Sequence, residues 1–487
     1  MRKASQSIAF VALTLGAVLL LAFAPLTSVS VVLAATGLFM GGTGHSLSIP
    51  QDTTEYITQY VDNADARFVA PSKLCVGGTD PAACDQVAVY TPEQFPFDTW
   101  PWNMTFDESV DAGLANLDAC VRGTQCTVTK PDFTSTGSAL LTDTSYVVFG
   151  YSQSATIAAF EKYDLIAHPK AGTTVSFVVM SNPNRPNGGI LERFVGAYIP
   201  ILGVTFSGAM TTNSPDVPGY TLTTVDVAHQ YDPVSDFPTN PLNLLADLNG
   251  LLGFFYFHPE TAYFAADSVQ LQGQYQDTTY YLAPAKTVPL LMPLEVIPLI
   301  GAPIAAALDP PLRVLIEAGY DRTINPGQPT PAKWLYIPNL IKTAIDFVVA
   351  IPTGWDNAIA ETTGNPANRP FGTTPPGPYG VGGPPVDAGK VDPYGPPTPL
   401  TLPTVQATAT PTVAAVAAPN SRRRPVATAP AVTSIESAAE ASAPSADRPS
   451  RRVHDRIAGS SRSTSKSGFA PSAASRAARP ASARPAA

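Results

Sequence analysis

The chain has 487 residues, 45% of them hydrophobic, which allows a sizeable core, while its 51 prolines exceed ordinary usage and must be concentrated somewhere. The net charge of −9 is unevenly spread: 421–487 carries 12 Lys or Arg against 4 Asp or Glu, leaving 17 against 34 in the rest. An acidic body of this kind excludes a nucleic-acid binder.

Arg2 and Lys3 precede Ile8–Ala24, an almost unbroken apolar run, and apolar character resumes from Val29 to Met40. Residues 1–30 therefore read as an export signal. It is either a cleaved signal peptide, with Val32-Leu33-Ala34 as a tolerable cleavage region, or an uncleaved membrane anchor. The expected location is the cell envelope, anchored or secreted. Leu33–Met40 reads as a buried strand running into the turn Gly41-Gly42-Thr43-Gly44, and Glu55–Phe68 has helical spacing. The four cysteines, Cys75, Cys84, Cys120 and Cys126, form two locally close pairs. Behind a secretory signal they suggest disulfides, and neighbour pairing is the simplest of three connectivities. No histidine lies near either pair and neither spacing suits zinc, so no metal or other cofactor is expected.

After an aromatic turn at Trp100 and Trp102, Thr105 can cap a helix over Phe106–Val121, with Glu108 completing a capping box. Ser145–Phe149 is a strand, Ala155–Ala167 a helix, and Val175–Met180 and Leu222–His229 two further strands. That rhythm implies βαβ units in a mainly parallel sheet. Asn182–Tyr220, with the apolar stretch Phe194–Phe206, reads as an insertion or cap. Thr287–Leu308 is apolar, but Pro289, Pro293, Pro298, Pro303 and Glu295 argue against a membrane span. Burial on the body is the expected role, a flap beside an apolar ligand the other. Ile337–Ile351 is the expected last helix. Residues 31–370 form the expected domain, and 371–487, rich in Pro, Ala, Ser and Arg, a disordered tail.

The chemistry is concentrated at Gly150-Tyr151-Ser152-Gln153-Ser154. A nucleophile elbow holds a serine on a tight strand-to-helix turn and needs small residues two positions to either side. Gly150 and Ser154 meet that need, serine replacing the usual glycine. A serine hydroxyl needs a base and an acid to orient it, in the order Ser, Asp, His for this architecture. Of five histidines, His45 precedes the serine, His168 sits on a surface connector, His229 lies in a strand and His454 in the tail. His258 remains. The acid should follow a strand directly, which selects Asp232 in Tyr231-Asp232-Pro233-Val234-Ser235-Asp236, although Asp236 could serve instead. The oxyanion hole would take N–H groups from Gln153 and from the glycine-rich turn at Thr43. That turn lacks the features of a nucleotide-binding loop. The expected fold is an α/β-hydrolase, with Ser152, Asp232 and His258 as its triad.

Together these segments, with Tyr263 after His258, resemble the PE-PPE domain family of cutinase-like α/β-hydrolases over roughly Leu33–Ala266. Serine at the position of Ser154 is common in that family. The helical PE or PPE region that often precedes the domain is replaced here by the export segment, as in its membrane-anchored members. The resemblance implies esterase activity on acyl esters and, for anchored members, acyl transfer between trehalose glycolipids of the envelope. The partners expected are an acyl-ester or glycolipid substrate and an envelope or membrane surface. A structural envelope protein on a decayed hydrolase scaffold is the non-enzymatic alternative.

Overall fold

The computed structural model describes residues 35–75, 84–96, 104–214, 222–259 and 269–386. The export segment, Trp100, Trp102, Tyr263, His454 and the tail beyond Val386 lie outside these residues. The strands are β1 (Thr36–Phe39), β2 (Asp85–Val89), β3 (Gln125–Thr129), β4 (Thr136–Leu140), β5 (Ser145–Tyr151) and β6 (Thr174–Met180). They continue with the short pair β7 (Tyr198–Ile199) and β8 (Val204–Thr205), then β9 (Thr224–His229), β10 (Gln270–Tyr275) and β11 (Thr278–Ala283). Nine of them form one sheet in the order β10-β11-β9-β6-β5-β1-β2-β3-β4. The six strands from β11 to β2 run parallel, and antiparallel strands close both edges. This is the mainly parallel α/β sheet expected from the strand–helix–strand rhythm.

The strand order reverses between β1 and β5. From β1 the chain moves to β2, and from β5 it moves the other way to β6, β9 and β11. In open α/β sheets the crevice at such a switch point, outside the carboxyl ends of the strands, is where ligands bind. The glycine-rich turn leaves β1 and Ser152 leaves β5 at that point.

Alternation along the central strands fills both faces. On one, Phe39, Val147, Phe149 and Val178 meet Ile57, Tyr60 and Val61 of α1 (Thr54–Ala64). On the other, Leu38, Tyr146, Val148 and Phe177 meet α2 (Phe106–Val121) and α3 (Gln153–Ala167). The α2 start is the expected capping box, Thr105 and Glu108 bonding each other's backbone N–H, which stabilises the helix by about 1 kcal/mol. The cysteines pair as neighbours, Cys75–Cys84 and Cys120–Cys126, with Cα atoms 5.3 and 5.2 Å apart. Further helices include α4 (Ile190–Arg193), α5 (Leu244–Tyr256), α6 (Met292–Glu295), α7 (Gly301–Glu317) and α8 (Leu340–Thr363).

Three expectations need correction. The last helix runs to Thr363, because Pro352 interrupts one backbone bond without ending the helix. Thr287–Leu308 is not buried on the body throughout: Val296 is 80% and Leu299 95% exposed. The domain also extends past Pro370. Asp356 accepts bonds from the N–H groups of Phe371 and Thr373 at 2.8 and 2.9 Å. The Pro378 carbonyl receives Gln230 and Arg313 at 2.8 and 3.0 Å, and Tyr379 lies buried against Ala228 and Leu282. Ending the chain at residue 386 is expected to leave the melting temperature unchanged. Ending it at 370 should lower it by about 5 °C or more, since buried polar groups lose their partners. Equal melting temperatures, by calorimetry, would restore the shorter domain.

Candidate active site

Ser152 sits at the end of β5 with φ 58° and ψ −117°, a conformation that a non-glycine residue adopts only when its surroundings impose it. The cost is on the order of 1–3 kcal/mol. The turn is closed by Ser154, whose hydroxyl accepts from the Tyr151 N–H at 2.9 Å and donates to the Tyr151 carbonyl at 3.1 Å. These two hydrogen bonds to one residue explain why serine stands where glycine is usual. Gly150 has no such latitude, because a Cβ there would fall 2.7 Å from the Ser154 carbonyl oxygen.

The structure brings Ser152, His258 and Asp232 together. The Ser152 Oγ lies 2.9 Å from His258 Nε2. His258 Nδ1 lies 3.0 Å from both carboxylate oxygens of Asp232. With the proton on Nδ1, His258 donates to Asp232 and offers Nε2 to the serine as acceptor. Asp232 is fully buried. Burial alone would push its carboxyl up, but the His258 ring and the Val234 N–H outweigh that and hold it below its ordinary value. The carboxylate is therefore ionised where it faces the imidazole.

Asp236 does different work. It accepts from the Tyr231 N–H at 2.9 Å and pairs with Arg322, which also bonds Glu317. It braces the loop that carries Asp232 and does not contact His258 through any bond described here. His45 bonds Asp52 at 2.8 Å, His168 bonds Asp164 at 2.9 Å, and His229 stacks on Phe257. None of the three joins the triad.

Sequence reasoning missed the groups that hold His258. Its ring lies between Phe254 and Tyr151, with centroids 5.1 and 5.3 Å away. The Tyr151 hydroxyl also donates to the His258 carbonyl. Phe254 is four residues before His258 at the end of α5, a spacing legible once that helix is assigned.

The glycine-rich turn reaches the elbow from β1. A Cβ on Gly42 would fall 2.8 Å from the Tyr151 ring, so only glycine allows the approach. The Thr43 hydroxyl donates to the Gln153 side-chain carbonyl at 3.0 Å. The Gln153 amide is spent on the Gln94 carbonyl at 3.2 Å and the Ser109 hydroxyl at 2.9 Å. Gln94 and Ser109 were not singled out in the sequence. Within the turn, the N–H groups of Gly44 and His45 bond the carbonyls of Glu93 and Gly42. Among the described residues, no cluster of three or more His, Cys, Asp or Glu is placed to hold a metal.

A strained serine, an imidazole and a buried carboxylate at the switch point of a parallel sheet are what the sequence resemblance called for, and residues 82–321 match the PE-PPE domain. Over that stretch, about half of the chain, the protein is similar to PE-PPE domains. An uncharacterized PPE family protein of Mycobacterium tuberculosis, PPE42, is 39% identical over 61% of this chain and 46% of its own length. Esterase PE16 of the same organism is 36% identical over 61% of this chain and 51% of its own length. A more distant relative there, SL1278 acyltransferase Chp1, is 28% identical over 49% of this chain and 54% of its length. The chain thus spans about half the length of the curated relatives it matches. No solved structure matches it.

Proposed function

We propose that the protein is an exported serine esterase that cleaves acyl esters through an acyl-Ser152 intermediate. The observation that supports this best is the unbroken line from Ser152 Oγ through His258 to Asp232, at 2.9 and 3.0 Å. Ser152 Oγ attacks the ester carbonyl while His258 Nε2 takes its proton, and Asp232 stabilises the imidazolium that forms. The backbone N–H groups of Gln153 and Thr43 receive the oxyanion. The imidazolium then protonates the departing alcohol, and water, activated by His258, releases the acid. The basic Arg2 and Lys3 ahead of Ile8–Ala24 support export.

Acyl transfer is the second reading, favoured by the acyltransferase name of one relative. It uses the same intermediate and differs only in that a sugar hydroxyl, as in a trehalose glycolipid, replaces water. The purified protein is expected to turn over nitrophenyl esters. Incubation with an acylated trehalose lipid, followed by mass analysis, separates the two readings: free fatty acid marks hydrolysis, polyacylated product transfer. Folded protein inert on esters of every chain length would favour a structural scaffold.

A further inference from the structure

Helices α5 and α8 are inside out, and α7 adds apolar side chains to the same outer surface. α5 turns Ala246, Asn249, Gly250 and Gly253 towards the protein. It leaves Leu244, Leu248, Leu251 and Phe255, spaced as one helical stripe, 48% to 76% exposed. α8 buries Ala350, Thr353, Gly354 and Asp356 and leaves Leu340, Ile341, Ile345, Val348 and Val349 51% to 76% exposed. α7 buries Val314 and Ile316 together with the Asp309–Arg313 ion pair, and leaves Ile304, Leu308 and Leu315 part exposed. In water a surface helix does the reverse, burying its large apolar side chains and exposing small and polar ones. Contiguous apolar surface of this kind marks an interaction site.

α7 packs against both of the others: a Cβ on Gly354 of α8 would fall 2.0 Å from the Ala307 carbonyl oxygen of α7. Ala246 of α5 and Ala305 and Ile316 of α7 share one core, and the Asn243 amide ahead of α5 bonds the Leu315 carbonyl at 3.1 Å. We propose that their outer faces form a docking surface for a lipid layer, which seats Ser152 against acyl esters held in that layer. The proposal rests on the esterase reading for its substrate.

Three observations favour lipid over a protein partner. The stripes carry almost no charge to specify a partner. The single charged residue of α5 is Asp247, whose carboxyl burial pushes up to about 6, and Lys342 of α8 is engaged by Asp346 and the Gly382 carbonyl. The stripe is also continuous with the candidate site: Phe254, 39% exposed, stacks on His258. An acyl chain entering beside it from a lipid layer would not cross water. Lastly, the chain ahead of Ala35 contains the apolar run Ile8–Ala24, itself suited to a bilayer. Among the described residues no helix is long and apolar enough to cross a membrane. The stripes fit a helix lying in the interface plane.

The test uses the full chain, neutral phosphatidylcholine vesicles and two double variants, Leu244→Glu with Leu248→Glu and Ile341→Glu with Ile345→Glu. Turnover of a soluble short-chain ester should stay within twofold of the parent. Turnover of a long-chain ester embedded in the vesicles should fall at least tenfold. Hydrogen exchange should show 244–256 and 340–355 protected by vesicles in the parent and in inactive Ser152→Ala, but not in the matching variant. That readout is independent of catalysis, so protection without any ester turnover would support docking while the esterase reading fails. Unprotected helices with unchanged vesicle turnover in the variants would overturn the proposal. So would a dimer that the variants dissociate while vesicle turnover stays unchanged, because a second copy would then cover the face.

Discussion

Replacing Ser152 by alanine is expected to lower kcat/KM on a nitrophenyl ester by at least about 10⁴-fold, with the fold unchanged. The loss follows from the geometry, since no other hydroxyl described here is bonded to His258 Nε2. Removing the serine should also relieve the strain at φ 58° only if the backbone relaxes, which Tyr151 and Ser154 prevent by their mutual hydrogen bonds. Melting temperature should therefore change little. Retention of a tenth or more of the activity would show that another nucleophile acts.

The second large effect separates the two aspartates that the sequence left open. Asp232→Asn is expected to lower kcat by about 10³–10⁴-fold with little change in KM, because an amide can favour the wrong imidazole tautomer. Asp236→Asn should act chiefly on stability. It leaves the largely enclosed Arg322 with Glu317 but without its second carboxylate, a loss of up to about 3 kcal/mol. Since Asp232 is held below its ordinary value, it supplies stability above the usual carboxylate range. That stability is lost only as pH falls through the lowered value. Equal kinetic damage from both substitutions would contradict the assignment of Asp232.

The elbow and the grouping of Ser152, His258 and Asp232 were legible because their residue types and order are constrained. Five histidines reduced to His258, and a strand ending at His229 pointed to Asp232. The capping box of α2 was legible for the same reason, as a local rule with a fixed spacing. What was not legible depends on tertiary neighbours. No helix was read at α5 from the sequence, and helical period could not have shown that its small face turns inward, because periodicity assumes that water covers the other side. The segment 371–386 has the Pro/Gly composition of a tail, yet it is held through backbone groups bonded to Asp356, Gln230 and Arg313, which composition does not register. Likewise Gln153 was read only as a backbone donor, whereas its side chain ties Thr43, Gln94 and Ser109 into one support for the turn.

The most direct measurement is the mass of the peptide bearing Ser152 after treatment of the intact protein with a fluorophosphonate probe. One phosphonyl group on Ser152 is expected, absent from Ser152→Ala and strongly reduced in His258→Ala. An unmodified Ser152 in folded protein, or a probe found on another residue and retained in Ser152→Ala, would contradict the serine mechanism.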